Sequence, residues 1–177
     1  TGVNTWSGGT TVNAGKLIMG NATALPANTA YTVTGGSLVL GAANLAVTQL
    51  TVNGGTVDLG AANLTAAEIA GTGGTIAVNG QTLTLNQSTN TSFAGTITGG
   101  AGANLVKSGS GTLLYTGNAS AFTGNTQING GTLSVNGTLG GVMTIGSGGR
   151  LKGNGTLGSV VLSSGATVAP GNSDRKS

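Results

Sequence analysis

Leu40-Gly41-Ala42-Ala43-Asn44-Leu45 recurs 19 residues on as Leu59-Gly60-Ala61-Ala62-Asn63-Leu64. The pairs Gly35-Gly36, Gly54-Gly55 and Gly73-Gly74 keep the same step. Each leads into a short alternating segment: Ser37-Leu38-Val39-Leu40, Thr56-Val57-Asp58-Leu59 and Thr75-Ile76-Ala77-Val78. Related units appear on either side, at Val12-Asn13-Ala14-Gly15-Lys16-Leu17 and at Ile128-Asn129-Gly130-Gly131-Thr132-Leu133. Looser copies start at Gly95, Gly111, Gly149 and Gly165. The leading glycines therefore stand at 15, 36, 55, 74, 95, 111, 131, 149 and 165, with steps of 16 to 21 residues.

Alternation of a small polar residue with Leu, Val or Ile is the period-two pattern of a strand with one buried face. Asn-Gly and Gly-Gly between such segments mark turns that need positive φ, which assigns the turns to Gly15, Gly36, Gly55, Gly74, Gly111 and Gly131. Asn13, Asn53 and Asn129, with Asn79, each follow a β-branched residue and read as a polar ladder bonding between units. Glycine interrupts nearly every stretch that could form a helix; residues 61–70 are the best helical candidate, yet they repeat a strand-like neighbour and are assigned to β.

A unit of this size cannot bury its apolar face alone and has to stack on its neighbours. It is too short for a propeller blade of roughly 40 residues. An outer-membrane barrel wants strands near 10 residues and two aromatic girdles, which five aromatics cannot build. The expected fold is all-β, a right-handed parallel β-helix (β-solenoid) of about 9–10 rungs of 16–21 residues. At about 4.8 Å per rung it makes a rod of roughly 45 Å. Residues 1–173 form a single β-helix fragment in this reading, and 174–177 are a boundary or non-native tail.

Composition narrows the function classes. Only 5% of residues are charged, against roughly 25% in a typical soluble domain. Disorder would need low hydrophobicity with high net charge, whereas 37% of this chain is apolar and its formal charge is +3. The absence of cysteine rules out disulfides and thiolate metal sites. No apolar run approaches the roughly 18 residues of a membrane helix. The chain opens at Thr1 without a signal peptide and reads as an excised fragment. Its six basic residues form no stripe of the kind nucleic acid requires.

Two stretches resemble the passenger-associated repeat of autotransporters. Leu105-Val106-Lys107-Ser108-Gly109-Ser110-Gly111-Thr112-Leu113-Leu114-Tyr115-Thr116-Gly117-Asn118, continuing through Phe122-Thr123-Gly124-Asn125-Thr126-Gln127-Ile128-Asn129-Gly130-Gly131-Thr132-Leu133, fits the repeat throughout. A truncated copy opens the chain, with Trp6-Ser7-Gly8-Gly9-Thr10-Thr11-Val12-Asn13-Ala14-Gly15 in the same frame. Gly153-Asn154-Gly155-Thr156-Leu157-Gly158 and Gly165-Ala166-Thr167-Val168-Ala169-Pro170-Gly171-Asn172-Ser173 are similar to the entry into the autochaperone region, although Asp174-Arg175-Lys176-Ser177 then departs from that pattern. The resemblance implies secretion through an outer-membrane β-barrel translocator of the same polypeptide, an extracellular or bacterial cell-surface location, and rungs that fold early and template the rest.

Catalytic equipment is sparse: no histidine and three carboxylates, Asp58, Glu68 and Asp174, leave little for general acid–base work. A Lys107 dyad with Ser108 or Ser110 is chemically conceivable, but glycine-flanked serines suit solenoid turns. Gly153 to Gly158 matches G-x-G-x-x-G without the following helix that a dinucleotide site needs. Residues 99–106 mimic a calcium nonapeptide with Asn104 in place of Asp, a poor ligand set for a hard dication. No catalytic, cofactor or metal site is assigned. Trp6, Tyr115 and Phe122 are expected to cap rung ends or stack against a ligand.

The leading functional expectation is a non-catalytic stalk, display and folding-template segment of a passenger within a surface adhesin. Its partners would be the translocator, a host receptor or further copies of itself, with no nucleic acid and no small-molecule substrate. The alternatives are the β-helical spacer of a larger secreted protease-type enzyme, an ice-binding solenoid using Thr82-Leu83-Thr84 and Thr96-Ile97-Thr98, and a fibril former with open strand edges at both ends.

Overall fold

A computed structural model describes residues 4–21 and 23–171; the tail at 174–177 lies outside the described residues. The chain winds into a parallel β-solenoid of about eight turns, with no helix among the described residues. Residues 61–70 give the strand Leu64–Ala70. Among the described residues every pairing between strands is parallel, and only an isolated bridge between Gly153 and Gly171 runs the other way.

Three columns of strands make up three faces. One face carries Thr82–Leu85, Asn104–Lys107 and Asn125–Ile128 in sequence. A second begins with Thr10–Val12 and Ala30–Val33, continues through the second halves of Leu45–Val52 and Leu64–Ala70, and passes by the Gly71–Phe93 bridge to Thr91–Phe93. It then runs through Thr112–Tyr115, Gly131–Val135, Gly149–Gly153 and Thr167–Pro170. The third stacks Lys16–Ile18, Ser37–Val39, Thr56–Asp58, Thr75–Asn79 and Thr96–Gly99.

Alternate side chains point inward because successive residues of a strand face opposite ways. Leu38, Val57, Ile76 and Ile97 form one interior column, Leu64, Leu83 and Leu105 another, and Leu113, Leu133 and Leu151 a third, all fully buried. Each such side chain contributes about 1.5–3 kcal/mol relative to exposure, which a lone 19-residue unit could not realise.

The turn count corrects the expected nine or ten rungs. The nine leading glycines do not belong to one column: Gly15, Gly36, Gly55, Gly74 and Gly95 precede strands of the third face, whereas Gly111, Gly131, Gly149 and Gly165 precede strands of the second. The glycine-rich corner thus moves by one face between residues 95 and 111, and the short step there is a change of corner rather than a complete rung. The step between registered residues is 19 for Leu50 and Ile69, 22 for Leu83 and Leu105, and 17 for Ile145 and Leu162. Strands are also not uniformly short, since Leu45–Val52 and Thr138–Ile145 each run for 8 residues through a corner that other turns break.

The two ends differ. Near the start, residues 23–29 run alongside the first half of Leu45–Val52, with Leu25 buried, the Tyr31 hydroxyl donating to Pro26 O (2.7 Å) and Asn28 N donating to Ala46 O (2.8 Å). At the other end Leu162, which registers on fully buried Ile145, is 53% exposed.

Candidate functional site

The turn glycines do two different jobs. Gly15, Gly36, Gly55, Gly74 and Gly131 have positive φ, between 60° and 73°. Gly111 does not; in that turn the positive φ is at Gly109, and Gly111 is needed for space, since a Cβ there would lie 2.1 Å from Thr89 O.

The asparagines bond to neighbouring turns but not chiefly to one another. Asn13 Oδ1 accepts from the Thr34 hydroxyl (2.7 Å), and Asn53 Oδ1 accepts from Thr72 N (3.1 Å). Asn129 Oδ1 lies over Gly146, where a Cβ would approach it to 3.2 Å. Asn79, itself at positive φ, donates to Asp58 Oδ1 (2.8 Å). The ladder that does run from turn to turn is formed by two residues sequence reasoning left out: Asn44 Oδ1 accepts from Asn63 N (2.8 Å), and Asn63 Oδ1 accepts from Thr82 N (2.9 Å). The signal was present, because both asparagines occupy the same place in the repeated Leu-Gly-Ala-Ala-Asn-Leu.

Of the three singled-out aromatics, Tyr115 and Phe122 are interior and cannot meet a ligand. Tyr115 packs on Phe93 with ring centroids 6.1 Å apart, and its hydroxyl, pushed up in pKa by burial, donates to Gly95 O (3.0 Å). Trp6 alone reaches solvent, at 42% exposure.

The most polar feature is a corner between the first and second faces. Leu64–Ala70 passes this corner as one continuous strand, whereas the next turn breaks into Thr82–Leu85 and Thr91–Phe93. The break leaves backbone groups without a strand partner, and side chains supply one. Fully buried Gln87 accepts from Ile69 N (2.9 Å) and donates to the Thr91 hydroxyl (2.5 Å). Glu68 Oε1 accepts from Ser88 N (3.0 Å), the Ser88 hydroxyl (2.7 Å) and Thr89 N (3.1 Å). One turn on, Lys107 is inside the prism at 1% exposure, and its Nζ donates to Ser108 O (2.7 Å), Gly109 O (3.3 Å) and Gly130 O (3.3 Å).

The electrostatics follow from this geometry. Burial pushes the Glu68 carboxyl up, but the bonds from Ser88 and Thr89 outweigh it and hold the group below its ordinary value. Burial pushes the Lys107 ammonium down, partly offset by the Glu68 charge. A carboxyl with a depressed folded pKa stabilises the fold above its unfolded pKa and loses that contribution as pH falls through the folded value. Glu68→Ala is therefore expected to cost about 2 kcal/mol at neutral pH, the worth of charge-assisted hydrogen bonds. The deficit should shrink as pH falls below the ordinary carboxyl value of about 4.3 and through the lower folded value, where the proton taken up by the folded chain ends the advantage. Urea unfolding of both proteins across acidic pH measures it.

The polar side chains of the corner are engaged with the backbone around them. Lys107 donates to carbonyls and not to a serine hydroxyl, while Ser108 Oγ donates to Asn86 Oδ1 (3.2 Å). Asp58 and Glu68 stand in different sheets and do not meet. Among the described residues no three His, Cys, Asp or Glu side chains gather. The G-x-G-x-x-G stretch leads into the strand Thr156–Leu162. Threonine rows are not doubled either: Thr96 stacks on Thr75, but Thr98 falls over Ala77.

Hydrocarbon columns inside, neutral hydrogen-bonding groups outside and turn-to-turn side-chain bonds define a parallel β-solenoid. Residues 1–19 and 105–135 match the family model of the passenger-associated-transport-repeat. This match and the solenoid together fit a segment of an autotransporter passenger. No curated protein and no solved structure matches the chain.

Proposed function

We propose that this chain is a non-catalytic rod of an autotransporter passenger, exported to the cell surface by a barrel translocator of the same polypeptide, where it serves as stalk, display platform and folding template. The observation that carries the reading is the all-parallel stack itself. The repeat at 105–135 occupies more than one full turn, from Asn104–Lys107 to Gly131–Val135; its strands are paired in register with the turns before and after, except Asn118–Ala119, which pairs only with the turn after. Rung addition in such a stack is local, so a folded turn offers an edge on which the next can pair. A structural role fits the engagement of Asp58, Glu68 and Lys107 in hydrogen bonds that link turns.

Deleting residues 105–173 from the parent polypeptide is expected to abolish protease-resistant surface display, measured by surface labelling before and after protease challenge. Unaltered display and resistance would count against the templating role.

A further inference from the structure

We infer that residues 86–90 form an acid-released latch, a joint at which the solenoid opens locally once Glu68 is protonated while the flanking turns stay folded. Leu45–Val52 and Leu64–Ala70 leave the first face as unbroken strands. Further along, Thr138–Ile145 enters that face as an unbroken strand, pairing first with Asn118–Ala119 and then with Asn125–Ile128. No described strand between these two arrangements exceeds 5 residues. The turn at 86–90 is where the first arrangement ends.

Its tie to the turn before is made largely by side chains. Asn86 N donates to Ala66 O (2.9 Å) and Gly71 N to Ser92 O (3.1 Å). Between these backbone bonds stand Gln87, which accepts from Ile69 N, and the bonds to Glu68. Oε1 of Glu68 takes all three bonds from Ser88 and Thr89, whereas Oε2 is buried without a hydrogen-bond partner. Acid therefore places the proton on Oε2. Oε1 becomes a neutral acceptor, whose bonds are roughly half as strong, and the new hydroxyl is a buried donor without an acceptor, a state relieved when the loop opens to water. Gln49 registers on Glu68 from the turn before, and Ser88 and Thr89 face it from the turn after, so no second carboxylate shares the proton. Lys107, whose ammonium feels the Glu68 charge, stays protonated throughout the acid range. Burial raises the Glu68 carboxyl, but the Ser88 and Thr89 bonds outweigh it. The latch is therefore closed at neutral pH and is lost as pH falls through the lowered folded value.

Hydrogen exchange of the 177-residue chain, followed amide by amide and corrected for the intrinsic rate at each pH, reads local opening directly. From about pH 6 to about pH 3 the Ser88 and Thr89 amides are expected to lose about tenfold in protection, the step from a charged to a neutral acceptor. Amides of Leu45–Val52 and Gly131–Val135 should keep theirs. In Glu68→Gln, which retains an acceptor oxygen without the charge, Ser88 and Thr89 should already be weakly protected at about pH 6 and change no further in acid. Equal loss in every strand overturns the inference, because acid then weakens the stack as a whole. Unchanged protection of Ser88 and Thr89 overturns it too, as does a Glu68→Gln chain that still loses their protection on acidification.

Discussion

Replacing Gly71 by alanine is expected to destabilise the solenoid by at least about 3 kcal/mol, the range of severe core lesions. Gly71 closes the second-face run of its turn, just after Leu64–Ala70, with Val52 in the turn before and Phe93 in the turn after. Its φ is 146°, and a Cβ would come within 1.9 Å of Val52 O and 2.6 Å of Val52 C. Both atoms are backbone, so no side chain can swing aside. The Val52 strand would have to shift, yet it is bonded in register to Ala30–Val33 on its other side. Gly71 also donates to Ser92 O (3.1 Å) and accepts from Ala94 N (2.9 Å), so moving Gly71 instead would break its ladder to the turn after. For a chain of this size the loss amounts to about 10 °C in Tm. Gly100→Ala is the control, because a Cβ there meets nothing within 4 Å; its expected change is within about 0.5 kcal/mol. Calorimetric scans of both variants decide the matter, and equal transition temperatures would mean that the stack is looser at Gly71 than the geometry states.

The part of this architecture legible in the sequence is the part set by local rules. Ser37-Leu38-Val39 and Thr56-Val57-Asp58 declare their buried residue by alternation, and Gly36 and Gly55 declare the turns through positive φ, so the parallel stack follows from unit size and period. What eluded reading is non-local. Val12-Asn13-Ala14-Gly15 and Ile128-Asn129-Gly130-Gly131 are near-copies, yet the first joins the second face to the third and the second joins the first face to the second. Nothing in either motif encodes which corner of the prism it turns, because that phase is accumulated from the length of every preceding turn. The burial of Lys107 is non-local for a related reason. In the sequence Lys107 stands only as a conceivable partner of Ser108 or Ser110; what holds it inside is the convergence of the Ser108, Gly109 and Gly130 carbonyls, and Gly130 lies a full turn away. Gln87, likewise, is buried only because the strand before it runs unbroken past the corner while its own turn breaks there.

Lys107→Ala is expected to cost about 3–4 kcal/mol, from a cavity and from three carbonyls deprived of their donor. The side chain lies between Leu85 and Ile128 in the interior column of the first face, so truncation empties space that water cannot readily use. Lys107→Met fills most of that volume and isolates the charge. In the folded chain burial holds the Lys107 ammonium below its ordinary range, whereas the unfolded chain keeps it near 10.4. Below the folded value both states bind the proton, and the ammonium's burial penalty applies in full. Between the folded value and about 10.4 the unfolded state binds more protons, so wild-type stability rises with pH relative to Lys107→Met across that window. Tyr31 and Tyr115, whose hydroxyls burial pushes up, penalise the fold as the unfolded tyrosines ionise, but they do so equally in both proteins. Glu68, the neighbouring charge, is ionised throughout that range. The difference in urea-unfolding free energy, followed from about pH 7 to 10, therefore reports Lys107 alone. A flat difference would show that water reaches the ammonium in the folded chain, and the corner clamp would then be a surface contact rather than a buried one.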